Sequence, residues 1–305
     1  MVIPTVSIGL PVYNGQKYLQ RALDSLLQQD YEDFELIISD NASDDRSPEI
    51  CRVYAAKDKR IRYYRNEINR GATWNFRKVF ELARGKYFKW AAYDDECYPS
   101  MLYRCVETMH QAPTQVVVVY PRGEIIDDCG QVVGPTPDHV DSNAARPYQR
   151  LARVLFNASF AHSFYGLIRS ESLRKTRGYV NIAPDHVLLA ELAMWGQIWE
   201  IPEVLFRLRL HPENAMNVNK TRRAMQAWFN PRGANRWPIL PYEIALVKEH
   251  WKSVWHARLA PIDKCLCFIT VLTVPQWRTF LHITGKPREW LRSVLTLERF
   301  LCLFC

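Results

Sequence analysis

Hydrophobic and polar positions switch between two periods from residue 5 to residue 121. TVSIGLPV (5–12) is a short β-rich run that Asn14-Gly15 breaks. From Lys17 the apolar positions fall at Tyr18, Leu19, Ala22, Leu23, Leu26 and Leu27, the stripe of an amphipathic helix. FELIISD (34–40) predicts a buried strand ending in an acid, a helix starts near Pro48, and IRYYRN (61–66) predicts a further strand. Trp74, Phe76, Val79, Phe80 and Ala83 return to helical spacing, closed by Gly85. YFKWAAY (87–93) is strand-like, PSMLYRCVETMHQ (99–111) helical, and QVVVVYP (115–121) the least ambiguous strand of all. Repeated strand–helix alternation predicts an α/β protein of parallel βαβ units with helices on both sheet faces.

Beyond Tyr120 the rhythm changes. IIDDCGQVV (125–133) predicts a hairpin and PTPDHVDSNAARP (135–147) a loop. A helix, a strand at FYGLIR and a second helix at PDHVLLAELAMWG (184–196) follow, and QIWEIPEVLFRLRLH (197–211) is extended. From about Asn214 the chain turns basic and Trp-rich, and Pro231, Gly233, Pro238 and Pro241 mark a joint before a helical tail. The expected organisation is a catalytic domain over 1–215, with halves 1–122 and 123–215, and a helical basic C-terminal region over 216–305.

Composition narrows the partners. Of 305 residues, 48% are hydrophobic and 24% charged, an ordinary globular composition for which disorder is not the default. The net charge of +8 and a pI near 9.1 favour an anionic partner: a nucleotide phosphate, an acidic membrane face or nucleic acid. MVIPTVSIGLPVYN lacks the basic start of a secretory signal, and Pro4 and Pro11 interrupt its apolar run. No uncharged apolar stretch is long enough for a transmembrane helix. Eight scattered cysteines predict reduced thiols and a cytoplasmic setting, and Cys265-x-Cys267 with Cys302-x-x-Cys305 are irregularly spaced for a zinc site. The tail carries Trp251, Trp255, Trp277 and Trp290 among Lys and Arg, with a dense apolar run from Leu291 to Leu303. That pattern suits a peripheral contact with an anionic membrane, and packing on the catalytic domain or a partner suits it too.

In open α/β sheets a ligand sits outside the carboxyl ends of the strands. Polar clusters fall at those ends: Pro11 to Asn14, Asp40 to Ser43, Arg65 to Gly71, and Asp94 to Glu96. Tyr13 could wall a nucleobase while Asp40 accepts a base N–H; Asn14, Asn41 and Ser43 serve turns and caps equally well. Asn66, Asn69, Gly71 and Asn75 offer amides and flexible backbone to a ribose or phosphate, and Arg65 and Arg70 could neutralise a diphosphate. The acidic triplet suits a hard divalent cation, which would remove its self-repulsion. In an extended segment Asp94 and Glu96 share one side and Asp95 faces the other; a solvated strand end with an Asp capping the next helix is the competing reading.

In order, VSIGLPVYNGQKYLQRALDSLLQQDYEDFELIISDNASDD, RNEINRGATWNF and YFKWAAYDD resemble a glycosyltransferase of family 2, over about residues 4–215. The resemblance implies a GT-A fold with a mostly parallel central sheet flanked by helices, and an inverting transfer from a nucleotide-sugar. It implies that Pro11, Tyr13 and Asp40 hold the base, usually uracil, with Asn14, Asn41, Ser43, Asn69, Arg70, Gly71 and Asn75 completing the nucleotide site. Aligning the paired acids sets Ala92 opposite the family's first Asp. Asp94 is then placed near the ribose, Asp95 on the metal (Mn²⁺ or Mg²⁺), and Glu96 outside the site. Asp185 matches the family's general base, although Pro184-Asp185 is also good helix-capping chemistry. His211 resembles the late histidine used as a metal or diphosphate ligand, with Arg207 and Arg209 available to the diphosphate or sugar. The implied partners are a nucleoside-diphosphate sugar, a UDP-sugar above all, and a glycan or lipid-linked acceptor in surface polysaccharide or glycoconjugate synthesis, with no nucleic acid. A nucleotidyltransferase is the rival enzyme, but VYNGQKYL is a poor triphosphate loop. A non-catalytic glycan-binding or scaffold member is the rival that Ala92 favours.

Overall fold

The computed structural model describes residues 3–233 and 241–284. Its first half follows the predicted alternation: β1 (Val6–Val12), α1 (Leu19–Leu27), β2 (Phe34–Asp40), α2 (Ser47–Lys57), β3 (Ile61–Arg65), α3 (Ala72–Glu81) and β4 (Tyr87–Trp90). Then come β5 (Glu96–Cys97), α4 (Met101–Gln111), β6 (Val116–Ile126), β7 (Val132–Pro135) and α5 (Pro147–Asn157). A 3₁₀ turn (His162–Tyr165) leads into β8 (Leu167–Arg169), α6 (Ser170–Arg174), α7 (Pro184–Trp195) and β9 (Gln197–Arg209). The chain continues through α8 (Ala215–Val218), α9 (Arg222–Phe229), α10 (Tyr242–His256) and α11 (Pro261–Thr284). Pro238, Trp290, the run from Leu291 to Leu303, Cys302 and Cys305 lie outside the described residues.

Among the described residues nine strands form one sheet in the order β3-β2-β1-β4-β8-β6-β9-β5, with β7 hairpinned onto β6. β3, β2, β1 and β4 are parallel; β8 runs antiparallel between β4 and β6, and β6 pairs in parallel with β9. Period-two alternation sends β2 side chains to two cores. Leu36 and Ile38 pack with α1, α2 and α4, while Ile37 joins Val79, Phe88 and Trp90 on the α3, α5 and α7 side. Helices thus cover both faces, as the alternation predicts. Gly9 permits the tight approach of α3, because a Cβ there would lie 2.7 Å from both Phe88 and Val79.

The C-terminal helices close the second core. Val254 and Ala257 near the end of α10 and Cys267 and Val271 of α11 are buried beside Leu188 and Leu192 of α7. A polar knot fixes α10: Arg177 binds Glu191 through Nε at 2.6 Å and Glu249 through Nη1 at 2.9 Å, and its Nη2 donates to Ser253 Oγ at 2.7 Å. His250 is buried against this knot. Burial first, then the charges of His186 and Arg177, pushes its imidazole down to about 4 from 6.5. The unfolded chain therefore binds a proton between those values that the folded chain refuses, so stability falls as pH falls through that window. Denaturant unfolding should show the wild type losing about 2 kcal/mol more than His250→Asn between pH 7 and pH 5. Equal losses in both would remove His250 from the pH response.

Candidate active site

The loops after β1 and β2 are laced together by their own polar atoms. Asn14 N–H donates to Ser43 Oγ (3.0 Å), Gly15 N–H to Ser47 Oγ (2.9 Å) and Gln16 N–H to Asp45 (2.9 Å), while Asp44 N–H donates to Asn14 Oδ1 (3.1 Å). Asn14 and Ala42 hold left-handed backbone, with φ of 51° and 62°. Such conformations persist only where surrounding structure over-determines them, and they cluster at functional sites. Asp40 ends β2 fully buried; Oδ1 accepts Ser43 N–H at 2.9 Å, Oδ2 accepts the Tyr63 hydroxyl at 2.9 Å, and Arg65 Nε stands 3.4 Å away. Base reading by Asp40 therefore requires Tyr63 or Arg65 to yield.

The amides expected to face a nucleotide mostly bond the frame instead. Asn41 Nδ2 donates to Asn69 Oδ1 (2.8 Å), and Asn41 Oδ1 accepts from Arg70 N–H (3.0 Å) and Asn66 Nδ2 (3.2 Å). Asn75 Nδ2 ties the ends of β1 and β2 through Val12 O (3.3 Å) and Ser39 O (2.8 Å), leaving its buried Oδ1 without a partner. Buried amides need partners, and for all of these but Asn75 Oδ1 the adjoining loops and strand ends supply them. Arg70 lies over the Trp74 ring at 4.9 Å. Gly71, with φ of 87°, lets α9 close in, since a Cβ would lie 2.4 Å from Phe229 O. The resulting cleft of about 330 Å³ is walled by Pro11, Tyr13, Asn14, Tyr93, His211 and Trp228, with Asn41, Asn69 and Asn75 also along it.

The acidic triplet does not sit on a continuous strand. β4 stops at Trp90, short of the expected Tyr93, and β5 begins at Glu96, so Asp94 and Asp95 occupy the connection. Asp95 is buried, and its Oδ1 accepts Arg209 N–H at 2.9 Å. Burial first and the Asp94 charge second raise its carboxyl well above the ordinary range, against the pull of Arg209 N–H and Lys89. Lys89, itself buried, donates to Tyr165 O at 2.8 Å and Trp90 O at 3.1 Å. Arg209 is the clamp on the triplet. Its side chain is fully buried, Nε donates to Asp94 O (2.9 Å), Nη1 to Asp127 O (2.9 Å) and Nη2 to the Glu96 carboxylate. Arg207 turns to Glu124 (2.9 Å) and the Tyr98 hydroxyl (2.6 Å). Both arginines thus pair with partly buried acids, Arg209 with Glu96 and Arg207 with Glu124.

The carboxylate facing His211 is Asp94, the acid that the resemblance places near the ribose, while Asp95, placed on the metal, lies buried against Arg209 N–H. His211 Nε2 and Asp94 Oδ2 are 3.0 Å apart, and Asn214 Nδ2 approaches the same oxygen at 3.3 Å. Tyr18 backs the imidazole at 4.5 Å, and Tyr18 and Lys17 reach Asp128 in the turn between β6 and β7. Two donor atoms about 3 Å apart have the spacing of neighbouring ligands around a cation bound at about 2.1 Å. A carboxylate and an imidazole therefore fit a Mn²⁺- or Mg²⁺-class ion that completes its shell with phosphate oxygens. Among the described residues no group of three His, Cys, Asp or Glu side chains converges.

Asp185 lies in the first turn of α7, after Pro184 and after Ala183 with φ of 39°. It does not cap that helix, and no hydrogen bond or ion pair engages its carboxylate among the described residues. The buried Tyr165 hydroxyl, raised chiefly by burial, also feels the charges of Asp95, Asp94 and Asp185. Sequence reasoning missed Lys89, Tyr165, the lacing of the two loops, and Trp228, whose indole reaches the cleft from the Trp-rich region.

Residues 7–177 match the model of glycosyl transferase family 2. An uncharacterized glycosyltransferase of Rickettsia prowazekii is 34% identical over 232 residues, covering 70% of this chain and 67% of that protein. Matches to glycosyltransferases of Rickettsia typhi and Rickettsia felis span only 38% and 26% of those proteins. The structure of Staphylococcus aureus TarS 1–349 in complex with UDP-GlcNAc superposes with a TM-score of 0.65 at 15% identity, covering 93% of this chain and 77% of that one. The mannosyltransferase PcManGT of Pyrobaculum calidifontis, in complex with GDP-Man and Mn²⁺, gives 0.52 at 17% identity over 99% of this chain and 81% of that one. The chain belongs to glycosyl transferase family 2 and carries its GT-A fold.

Proposed function

We propose that this enzyme is an inverting glycosyltransferase that moves a sugar from a nucleoside diphosphate, a UDP-sugar by preference, to a hydroxyl of a glycan or lipid-linked acceptor. The observation that carries the reading is the Asp94–His211 pair, whose imidazole lines the cleft. Tyr13 would wall the base, Asp40 would read its edge once Tyr63 yields, and Pro11, Asn14 and Gly71 would shape the backbone against the nucleotide. Asn41, Ser43, Asn69 and Asn75 would hold those loops in place, and Arg70 would border the site. Asp94 and His211 would hold the Mn²⁺ or Mg²⁺ ion, and Asp95 would fix the Asp94 loop from beneath. When bound, the cation offsets negative charge on the departing diphosphate. Asp185 accepts the proton of the acceptor hydroxyl, whose oxygen attacks the anomeric carbon from the face opposite the nucleotide.

Support for a nucleotide-sugar donor comes from the UDP-GlcNAc and GDP-Man named with the TarS and PcManGT structures. The putative colanic acid biosynthesis glycosyl transferase WcaA of Escherichia coli, 26% identical over 233 residues, supports a role in polysaccharide synthesis. The test incubates the full chain with Mn²⁺ and a panel of nucleotide-sugars. Release of nucleoside diphosphate from one donor is expected; pyrophosphate release from a nucleoside triphosphate and sugar phosphate would instead identify a nucleotidyltransferase.

A further inference from the structure

We propose that the outer face of the α10–α11 hairpin docks on an anionic phospholipid bilayer, a reading independent of the donor and base assigned above. Ile244, Trp251 and Trp255 of α10 stand at i, i+7 and i+11, one helical stripe, and all three are exposed, Trp255 to 76%. Ile262, Ile269 and Leu272 of α11, at i, i+7 and i+10, form a second exposed stripe. The opposite sides, with Val254, Cys267 and Val271, are buried in the protein core. The stripes form one surface because Trp251 meets Phe268 edge-on at 5.9 Å, and Lys264 lies over the Trp255 ring at 5.7 Å. An exposed apolar surface of this kind marks an interaction site.

Charge selects the occupant. Lys248, Lys252 and Arg258 are exposed along the hairpin, and Lys264 lies beside them. The neighbouring acids are engaged: Glu249 with Arg177 (2.9 Å) and Lys252 (2.6 Å), and Asp263 with Arg146 (2.9 Å). Glu243, exposed at the start of α10, is the acidic exception. A second copy meeting this face across a two-fold axis would set its cations against themselves. Anionic headgroups complement those cations, while indole rings settle at the interface between headgroup and acyl chain. Among the described residues no helix is long and apolar enough to cross a membrane, so the contact proposed is lateral.

The test is flotation of the full chain with phosphatidylglycerol–phosphatidylcholine vesicles and with pure phosphatidylcholine vesicles. Wild type is expected on the anionic vesicles only, with binding reduced at least roughly tenfold by Trp251→Ser plus Trp255→Ser and weakened by salt. Circular dichroism and donor hydrolysis in solution should be unchanged in that variant, which separates a failure of docking from a failure of the catalytic reading. Equal flotation of wild type and variant would overturn the proposal, as would no flotation of either. Loss of self-association by the variant in light scattering, with vesicle binding intact, would assign the face to a second copy and overturn it too.

Discussion

Asp185→Asn is expected to leave donor affinity unchanged and to lower sugar transfer by roughly 10²- to 10⁴-fold, the usual share of a general base. The substitution keeps the shape of the side chain and removes only its capacity to take a proton. It breaks no recorded hydrogen bond, because the carboxylate has no partner among the described residues and does not cap α7. The helix loses at most about 0.3–1 kcal/mol of favourable charge at its N-terminus, so unfolding curves should barely move. Donor titration beside single-turnover transfer separates the outcomes. Full transfer would remove Asp185 from the chemistry, and lost donor binding would make it a binding residue.

Arg209→Met should cost about 3–5 kcal/mol of stability, the range for stripping one partner from a buried charge. The guanidinium is enclosed, and its removal abandons Glu96, Asp94 O and Asp127 O together. Because the same residue's N–H holds Asp95, the loop that carries Asp94 should loosen as well. Arg209→Lys keeps the charge but cannot reproduce the planar fork, so it should recover only part of the loss. Adding Glu96→Gln to Arg209→Met should also restore part, by removing the uncompensated carboxylate. Denaturant unfolding measures all three variants, and a methionine variant as stable as wild type would show that the clamp is not needed.

Much of this framework was legible because it depends on local periodicity. The strands at 5–12 and 34–40, the hairpin after Ile126 and the helix starting at Pro184 follow from alternation, turn residues and a proline at a helix start. β8 fell within the strand expected at FYGLIR, but β5 was not separately legible: a strand of two residues carries too little pattern, and a neighbour distant in sequence decides its pairing. The division of labour among the acids was hidden for a related reason. Period two assigns sides only while a strand continues, and β4 ends at Trp90, before the triplet. What sets Asp94 apart is His211, 117 residues away, and what buries Asp95 is the backbone of Arg209. Polar residues such as Asn41 in a loop and Asn75 in α3 look alike in sequence whether they face a ligand or bond their neighbours, and burial decided the matter. Trp228 was visible as part of a Trp-rich region but gave no sign that α9 would fold back over Gly71.

Calorimetric titration of uridine diphosphate into the wild type and Asp94→Asn, each with Mn²⁺ and with chelator, tests the central claim most directly. The wild type should bind at least roughly tenfold more tightly with Mn²⁺, a difference of about 1.4 kcal/mol, and Asp94→Asn should lose that gain. Asp95→Asn, altered beneath the loop instead of at its face, should retain part of it. Equal affinity with and without the cation in the wild type, or an undiminished gain in Asp94→Asn, would contradict the account.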